Sequence, residues 1–437
     1  MNRLSRLLFT TAFAFVAISF GQNGVDTLVV AINNAPWLPG FEAIAKQYEE
    51  DTGITIELRV FPMDQLTERT RSATTASLSE FDVITMNTAG SAQFYAGGLV
   101  MPFAEIDPDF DLDPQIIEYA YATRWDEAAG GNAPDAPVYG IPINGNIQIF
   151  YYRCDLYEEA GLPAPETWQD VIAAADAIAG PRADLHGYAV RGQRGAGGSS
   201  VSWDFYPVLV GHGGRIFADD PHDWTVSLNS PEALEALELY VRLAKDYSPP
   251  NVASIGQADQ IALLQAGRLL QTVVVAGAFA NVDDPNASEV VGNICYTVVP
   301  RPVDGVHATA TGELLQGIPR NIPAERQQAA LEFLEYVVSY ENQIAFARAG
   351  GVPIRSDVYE SELADSPEFR YFGAMQASEP HQVSLPRIPE SVQVGEVLER
   401  RLNEAVAGLL SPAEALELSA REIHQIMEDA GYATGLR

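Results

Sequence analysis

The stretch RGQRGAGGSSVSW, Arg191 to Trp203, concentrates the residue types that binding chemistry uses. Its glycines let backbone amides come close to a ligand, and serines, arginines and an indole stand among them. A phosphate loop would need Gly, four residues, Gly, then Lys and Ser or Thr, and no lysine is present. A dinucleotide fingerprint needs G-x-G-x-x-G, and Gly195, Gly197 and Gly198 do not space that way. The phosphate reading falls, and a slack linker or the rim of a pocket for something else remains.

Metal and nucleophile chemistry find no firmer footing. His186, His212, His222, His307, His381 and His424 are scattered, with no pair at the spacing of a zinc-binding helix. Asp107, Asp109, Asp111 and Asp113 alternate and Glu118 falls at the end of a calcium-type loop. Leu112, however, stands where that loop turns on glycine, and Pro114 intrudes, so a solvated acidic loop is expected. No G-x-S-x-G occurs, and neither cysteine has a histidine near it in sequence. The sequence calls for no cofactor and no metal. Carboxylates are abundant enough to leave a catalytic pair open, so a secreted glycoside hydrolase stands as a second reading.

Amides and aromatics do gather at the ends of strands. Asn33, Asn34 and Trp37 form one group, Asn87 and Thr88 a second, Asn144 and Asn146 a third, Trp203 and Asp204 a fourth. Amides donate and accept hydrogen bonds, carboxylates accept them, and an indole face packs on the C–H face of a sugar ring. Together they suit a polyhydroxylated ligand.

Strands alternating with helices must position these residues. TLVVAIN (27–33), ITIELRVF (54–61) and FDVITMN (81–87) read as strands, with Ile54, Ile56, Leu58 and Val60 on one side of the second. Between them lie a helix with Phe41, Ile44, Ala45 and Tyr48 on one face, stopped at Gly53, and another over about 63–75. The pattern predicts parallel sheets covered on both faces. Later, YGIPINGNIQIFYYRCDLYEEAG gives two strands and a helix, and Thr167 with Asp170 forms a capping box. HGYAVRG, LLQTVVVAG and ICYTVVP read as further strands. The helix over 230–245 starts at Ser230-Pro231 with Leu234, Leu237, Tyr240, Val241 and Ala244 inward. Helices over 324–339 and 412–431 follow.

Bulk properties bound the function. At 437 residues the chain is long enough for two or three domains, and its net charge of -33 argues against a nucleic-acid partner. Only Lys46 and Lys245 are lysines among 26 basic residues, and so acidic a surface would suit a saline medium. The start, MNRLSRLLFTTAFAFVAISFGQNG, has the charged head, short apolar centre and small-residue exit of a secretory signal peptide. No cysteine follows it, so an exported, soluble, unlipidated chain is expected. Export permits a disulfide between Cys154 and Cys295, but sequence leaves open whether they meet.

FEAIAKQYEEDTGITIELRV, EFDVITMNTAGSAQFYAGGLVMPFAEI, YGIPINGNIQIFYYRCDLYEEAGLPAPETWQDV, GGRIFADDPHDWTVSLNSPEALEALELYVRLAK and AALEFLEYVVSYENQIAFARAGGVPIRSDV recur in one order. Nearly the whole exported chain resembles the solute-binding proteins of ABC sugar importers, the maltose-binding-protein-like family 1. GYAVRGQRG followed by a tryptophan helix resembles members that take monosaccharides, polyols or short oligosaccharides.

The resemblance implies an α/β fold of two lobes, each a mostly parallel sheet flanked by helices, closing on ligand about a hinge. It places residues 1–24 as signal peptide, 25–145 and 296–345 in lobe I, and 146–295 and 346–437 in lobe II. On that map Cys154 and Cys295 come within reach. It implies a monomer in the periplasm, a carbohydrate ligand, an ABC permease as partner and no nucleic acid. The same capture could serve a chemoreceptor.

Ligand contacts carried over are Asn34, Trp37, Asp64, Asn87, Asn144, Asn146, Arg194, Trp203, Asp204, Gly277, Phe279 and Arg355. Relatives often have a Gly-Gly-Trp-like turn where this chain has TGELL. Gly312 and Glu313 take its place, and Glu313 is expected to accept hydroxyl hydrogen bonds in place of the lost aromatic wall. Arg191 is expected to brace its loop. Arg194 and Arg355, facing the cleft together, would suit an anionic sugar; neutral hydroxyl recognition is the preferred reading.

Overall fold

The computed structural model describes residues 24–437, except Gly197 and the side chains of Asp64 and Ala89. The expected signal peptide lies, but for its last residue, outside the described residues. The strands of the two main sheets are β1 (Thr27–Asn33), β2 (Thr55–Phe61), β3 (Val83–Asn87), β4 (Ile141–Pro142), β5 (Gln148–Arg153), β6 (Gln271–Val275), β7 (Ile294–Thr297) and β8 (Leu314–Gly317). The helices that matter for the site are α1 (Leu38–Thr52), α2 (Met63–Thr75), α3 (Thr88–Ala96), α4 (Trp168–Ala174), α5 (Val201–Gly211), α6 (Pro231–Arg242), α7 (Gln257–Gln265) and α8 (Ser391–Val406).

The first sheet has the order β2-β1-β3-β8-β4. β1 pairs in parallel with β2 and β3, as the β-α-β-α-β reading requires, and β8 runs antiparallel between β3 and β4. Phe41, Ile44, Ala45 and Tyr48 bury one face of α1, and Gly53 ends it with φ 78°, where a side chain would be strained. β2 is an edge strand, and Val60, the last of its alternating apolar residues, is exposed.

The second sheet departs from expectation. Its order is β6-β5-β7 and both pairings are antiparallel. HGYAVRG, expected as a strand, joins no ladder, and a single bridge pairs its His186 with Leu269 just before β6. Beyond that point its backbone is satisfied elsewhere. The Val190 amide donates to Ser248 Oγ at 3.1 Å, and the Ala189 carbonyl accepts from Gln260 Nε2 and Thr272 Oγ1, each at 2.8 Å. Side chains have taken the place of a ladder. β7 also belongs to this sheet, so the return to the first sheet comes near Glu313 and not at residue 296.

Two cores result, one centred on β1, β3 and β8 and the other on α4, α5 and α6. The capping box at Thr167 and Asp170 starts α4, with the Thr167 side chain accepting from the Asp170 amide. Leu237 and Tyr240 on α6 and Ala244 in the turn after it are buried as expected, while Ala233 and Ala236 take inward places and Leu234 and Val241 are only half-buried. Cys154 and Cys295 form a disulfide across β5 and β7, with Cα atoms 5.5 Å apart. Among the described residues no helix is long and apolar enough to cross a membrane.

Candidate functional site

In the stretch from Arg191 to Trp203, the amides of Gly195, Ser200 and Ser202 turn inward, onto the chain itself. Glu399 of α8 is fully buried beneath it. Its Oε2 accepts from the Gly195 amide at 2.6 Å, and its Oε1 accepts from the Ser200 amide at 2.8 Å and the Ser202 hydroxyl at 2.8 Å. A glycine-rich loop leading into a helix N-terminus is a ready anion site, and here an internal carboxylate fills it. The expectation that the loop's amides approach a ligand is therefore overturned for Gly195, Ser200 and Ser202.

Arg191 braces the same loop. Its Nη2 donates to the Ser199 carbonyl at 2.7 Å and its Nε to Ser200 Oγ at 3.2 Å, while the guanidinium lies over the Trp203 ring, 5.5 Å from the ring centre. Asp204, expected at the ligand, is occupied by the protein. Its Oδ2 accepts from the Tyr240 hydroxyl at 2.9 Å and the Arg191 amide at 3.2 Å, and Gln148 Nε2 reaches its Oδ1 at 3.5 Å. Burial pushes the Asp204 carboxyl up to about 6, against the lowering pull of Tyr240 and Arg191.

Trp203 is held where the chain crosses between sheets. Its Nε1 donates to the Thr311 carbonyl at 3.0 Å, and its ring lies so close to Gly312 that an added Cβ would meet it at 3.3 Å. The second crossing, Asn144–Ile147, is tied to the same point. Asn146 Nδ2 donates to the Gly312 carbonyl at 2.7 Å, the Gly312 amide returns a bond to the Asn146 carbonyl, and Ile147 bridges Thr311. From the first sheet, the Thr88 amide donates to the Glu313 carbonyl at 3.2 Å, and Leu314 pairs with Asn87. Asn87, Asn146, Trp203, Gly312 and Glu313 thus converge on one short crossing.

Beside this crossing lies a cavity of about 300 Å³ lined by Trp37, Asn144, Asn146, Gln257, Gly277 and Leu314, with others. Trp37 comes from the loop before α1 on the first sheet, and Gly277 from the turn after β6 on the second, so both sheets contribute walls. Asn144 spends its Oδ1 on the Val352 amide at 3.1 Å. Gly145 is packed too tightly for any side chain, since a Cβ would meet the Pro353 carbonyl at 2.7 Å.

The other expected contacts, and the Asn87 side chain, are spent within the protein or lie apart from this cluster. Asn34 is exposed and donates its amide to Phe61. Asn87 spends its side-chain oxygen capping α3 through the Gly90 amide at 2.7 Å. Asp64 falls in the first turn of α2, with its side chain outside the described structure. Arg194 is exposed on the loop rim. Phe279 stacks on Tyr371 with ring centres 4.0 Å apart, as core. Arg355 is locked by Asp113 and Asp357, each at 2.7 Å, so it is a structural ion pair and not a ligand arm.

Glu313 is fully buried, and burial pushes its carboxyl up to about 8 despite Arg387 beside it. Sequence reasoning missed Arg387, Tyr119, Gln148 and Glu399. Arg387 Nη1 donates to the Ala120 carbonyl at 2.8 Å and Nη2 to the Tyr119 carbonyl at 3.0 Å. Those carbonyls belong to the first two of three successive left-handed residues, Tyr119, Ala120 and Tyr121, with φ of 50°, 55° and 60°. Such a run costs about 1–2 kcal/mol per residue, and the arginine helps to hold it. Glu399 alone left a signal: it sits within the apolar stripe of Val394, Leu398 and Leu402.

The model of the bacterial extracellular solute-binding protein family matches residues 33–344. The mannitol-binding protein of Pseudomonas aeruginosa is 25% identical over 96% of this chain and 98% of its own length. The maltose-bound MalE3 of T. maritima has a TM-score of 0.78 at 20% identity, covering 92% of this chain and 99% of that one. An ABC transporter solute-binding protein of Agrobacterium radiobacter, in complex with ribitol, has a TM-score of 0.75 at 22% identity, with coverage of 92% and 99%. The two sheets and their crossings are those of the two-lobe, maltose-binding-protein-like fold. The chain belongs to the bacterial extracellular solute-binding proteins.

Proposed function

We propose that this protein is the periplasmic binding component of an ABC importer. It captures a neutral carbohydrate or polyol between two lobes and delivers it to a membrane permease. The observation that carries this reading is the convergence at Thr311–Glu313. There Trp203 from α5, Asn146 from the other crossing and the start of α3 from the first sheet all meet beside a cavity walled from both sheets. A relative named for mannitol and a fold neighbour holding ribitol favour polyols within the class.

The lobes divide at the crossings, with 25–145 and 312–345 in the first and 146–311 and 346–437 in the second. Residues 1–24 serve as signal peptide, and the exported chain is an unlipidated monomer that performs no chemistry. Capture proceeds by hinge closure, which sequesters the hydroxyls from water.

Thermal unfolding of the mature chain against neutral sugars, polyols and acidic sugars tests this. Ligand at about a hundred times its dissociation constant adds about 2.7 kcal/mol, a readily visible shift. A stabilising polyol or sugar, bound once per chain without product, supports the reading. Glycoside turnover would transfer it to a hydrolase, and no response to any carbohydrate would remove the ligand class.

A further inference from the structure

We propose that His307 and His381 form a two-imidazole zinc site, which staples the short ladder leading into the crossing at Thr311–Glu313. Neither residue lines the cavity, so the site stands apart from the ligand assigned to it.

No spacing in the sequence announces the pair, because the fold assembles it from two distant segments. Thr309–Ala310 pairs in parallel with Gln382–Val383, and the Thr311 amide extends that ladder onto the Val383 carbonyl at 3.0 Å. His307 stands just before the first segment and His381 just before the second. Upstream, the Val306 amide donates to the Gly211 carbonyl at 3.1 Å, so the backbone that carries His307 is held from both directions. Side chains on a backbone fixed in this way keep their mutual placement. Both imidazoles are half-buried, so an ion in solution can reach them.

The spacing of the rings is that of two ligands on one tetrahedral ion. A zinc–nitrogen bond of about 2.1 Å puts the ring centre about 3.2 Å from the metal, and two rings at a tetrahedral angle then have centres about 5.2 Å apart. The centres of His307 and His381 are 5.3 Å apart, with their planes inclined at 46°. A right angle at the metal, as in square-planar or octahedral sites, would bring the centres to about 4.5 Å, which favours zinc over copper(II) or nickel(II). The tautomer of one ring is set as well. His307 Nδ1 lies 2.9 Å from the Val299 carbonyl, which can only accept, so Nδ1 carries the proton and Nε2 keeps its lone pair. A ring tied to a carbonyl through one nitrogen and bare at the other is the ordinary state of a zinc-ligating histidine. His381 can ligate through either nitrogen. Among the described residues no group of three or more His, Cys, Asp or Glu side chains is placed to hold a metal, so water fills the remaining positions. Two imidazoles suit zinc, whereas calcium and magnesium take oxygen ligands.

The test is calorimetric titration of the tag-free mature chain, stripped of metal by a chelator, with zinc and separately with calcium. One zinc per chain is expected, and a melting temperature several degrees higher with zinc at about a hundred times its dissociation constant. Calcium is the control for the 59 acidic residues, which attract any divalent ion. His307→Gln and His381→Gln are each expected to weaken zinc binding by at least about tenfold, and His222→Gln, at an exposed residue, to leave it unchanged. Every variant is first checked for cooperative unfolding in chelator. Nitrogen NMR of the histidine rings in wild type needs no substitution. Zinc should move the ring nitrogens of His307 and His381 and of no other histidine, with His307 Nδ1 still protonated. Zinc binding no tighter than calcium overturns the proposal. So does zinc binding that survives in the double variant His307→Gln/His381→Gln, or a spectrum in which these two rings do not respond.

Discussion

Glu399 Oε2 accepts the Gly195 amide at 2.6 Å across 204 residues of sequence, and through that bond α8 holds down the glycine-rich loop at the start of α5. The same carboxylate takes the Ser200 and Ser202 amides, so removing it strands several buried donors at once. Glu399→Ala is expected to destabilise the chain by about 3 kcal/mol, and Glu399→Gln by about half that, since the amide keeps one acceptor. Urea unfolding at constant slope measures it. A loss under about 0.5 kcal/mol for the alanine variant would show that the carboxylate is not what holds the loop.

Gly145 offers a steric test of the crossing. A Cβ there meets the Pro353 carbonyl at 2.7 Å, Val352 Cγ1 at 2.8 Å and the Tyr119 hydroxyl at 2.9 Å. Gly145→Ala is expected to cost about 1–3 kcal/mol and to weaken ligand binding, because the crossing cannot settle against residues 352–353. Gly373, with nothing within 4 Å of its would-be Cβ and a helical backbone, is the control. Gly373→Ala is expected to be neutral or stabilising by up to about 1 kcal/mol. Equal melting temperatures for the two variants would remove the steric argument.

The order of elements was legible because its signals are local. The alternation of β1 to β3, the left-handed glycine at 53 and the capping box at Thr167 each need only a few neighbouring residues. Three of the residues that meet at the crossing, Asn146, Trp203 and Glu313, were also picked out by their place at segment ends, where ligands gather in such folds. What failed was partner choice over long separations. Nothing near Asp204 says that Tyr240 will take its oxygen, and nothing near Gly195 announces Glu399. HGYAVRG has strand composition, yet Gln260, Thr272 and Ser248 satisfy its backbone from afar. Arg355 and Phe279 look like ligand residues in isolation and become an ion pair and a core ring once Asp113 and Tyr371 arrive.

A net charge of -33, with 59 acidic against 26 basic residues, makes self-repulsion a property of the whole surface. Screening that repulsion stabilises the compact state, since the Debye length falls from about 30 Å at 0.01 M to about 3 Å at 1 M salt. Melting temperature is therefore expected to rise by several degrees between those salt concentrations. Sodium chloride serves here, because it acts mainly by screening. An unchanged or falling melting temperature would mean that the acidic residues are dispersed or paired well enough for the excess not to matter.

Glu313 gives stability a pH dependence of definite sign. Burial raises its carboxyl from 4.5 to about 8, with Arg387 opposing. Between those values the folded chain keeps a proton that the unfolded chain has shed, so stability falls as pH rises through the window. Asp204 and Asp220, each raised to about 6 by burial, push the same way at lower pH. Comparison with Glu313→Gln isolates the one group, because the amide cannot titrate. Near pH 5, where both residues are neutral beside Arg387, the two proteins should differ little in stability. By about pH 8.5 the variant should have gained on the order of 4 kcal/mol relative to wild type, from the roughly three pH units over which only the unfolded chain is ionised. Chemical denaturation at a series of pH values reads this directly. A difference that stays flat, or that favours wild type as pH rises, would mean that Arg387 compensates the buried charge fully and that Glu313 is ionised in the folded chain throughout.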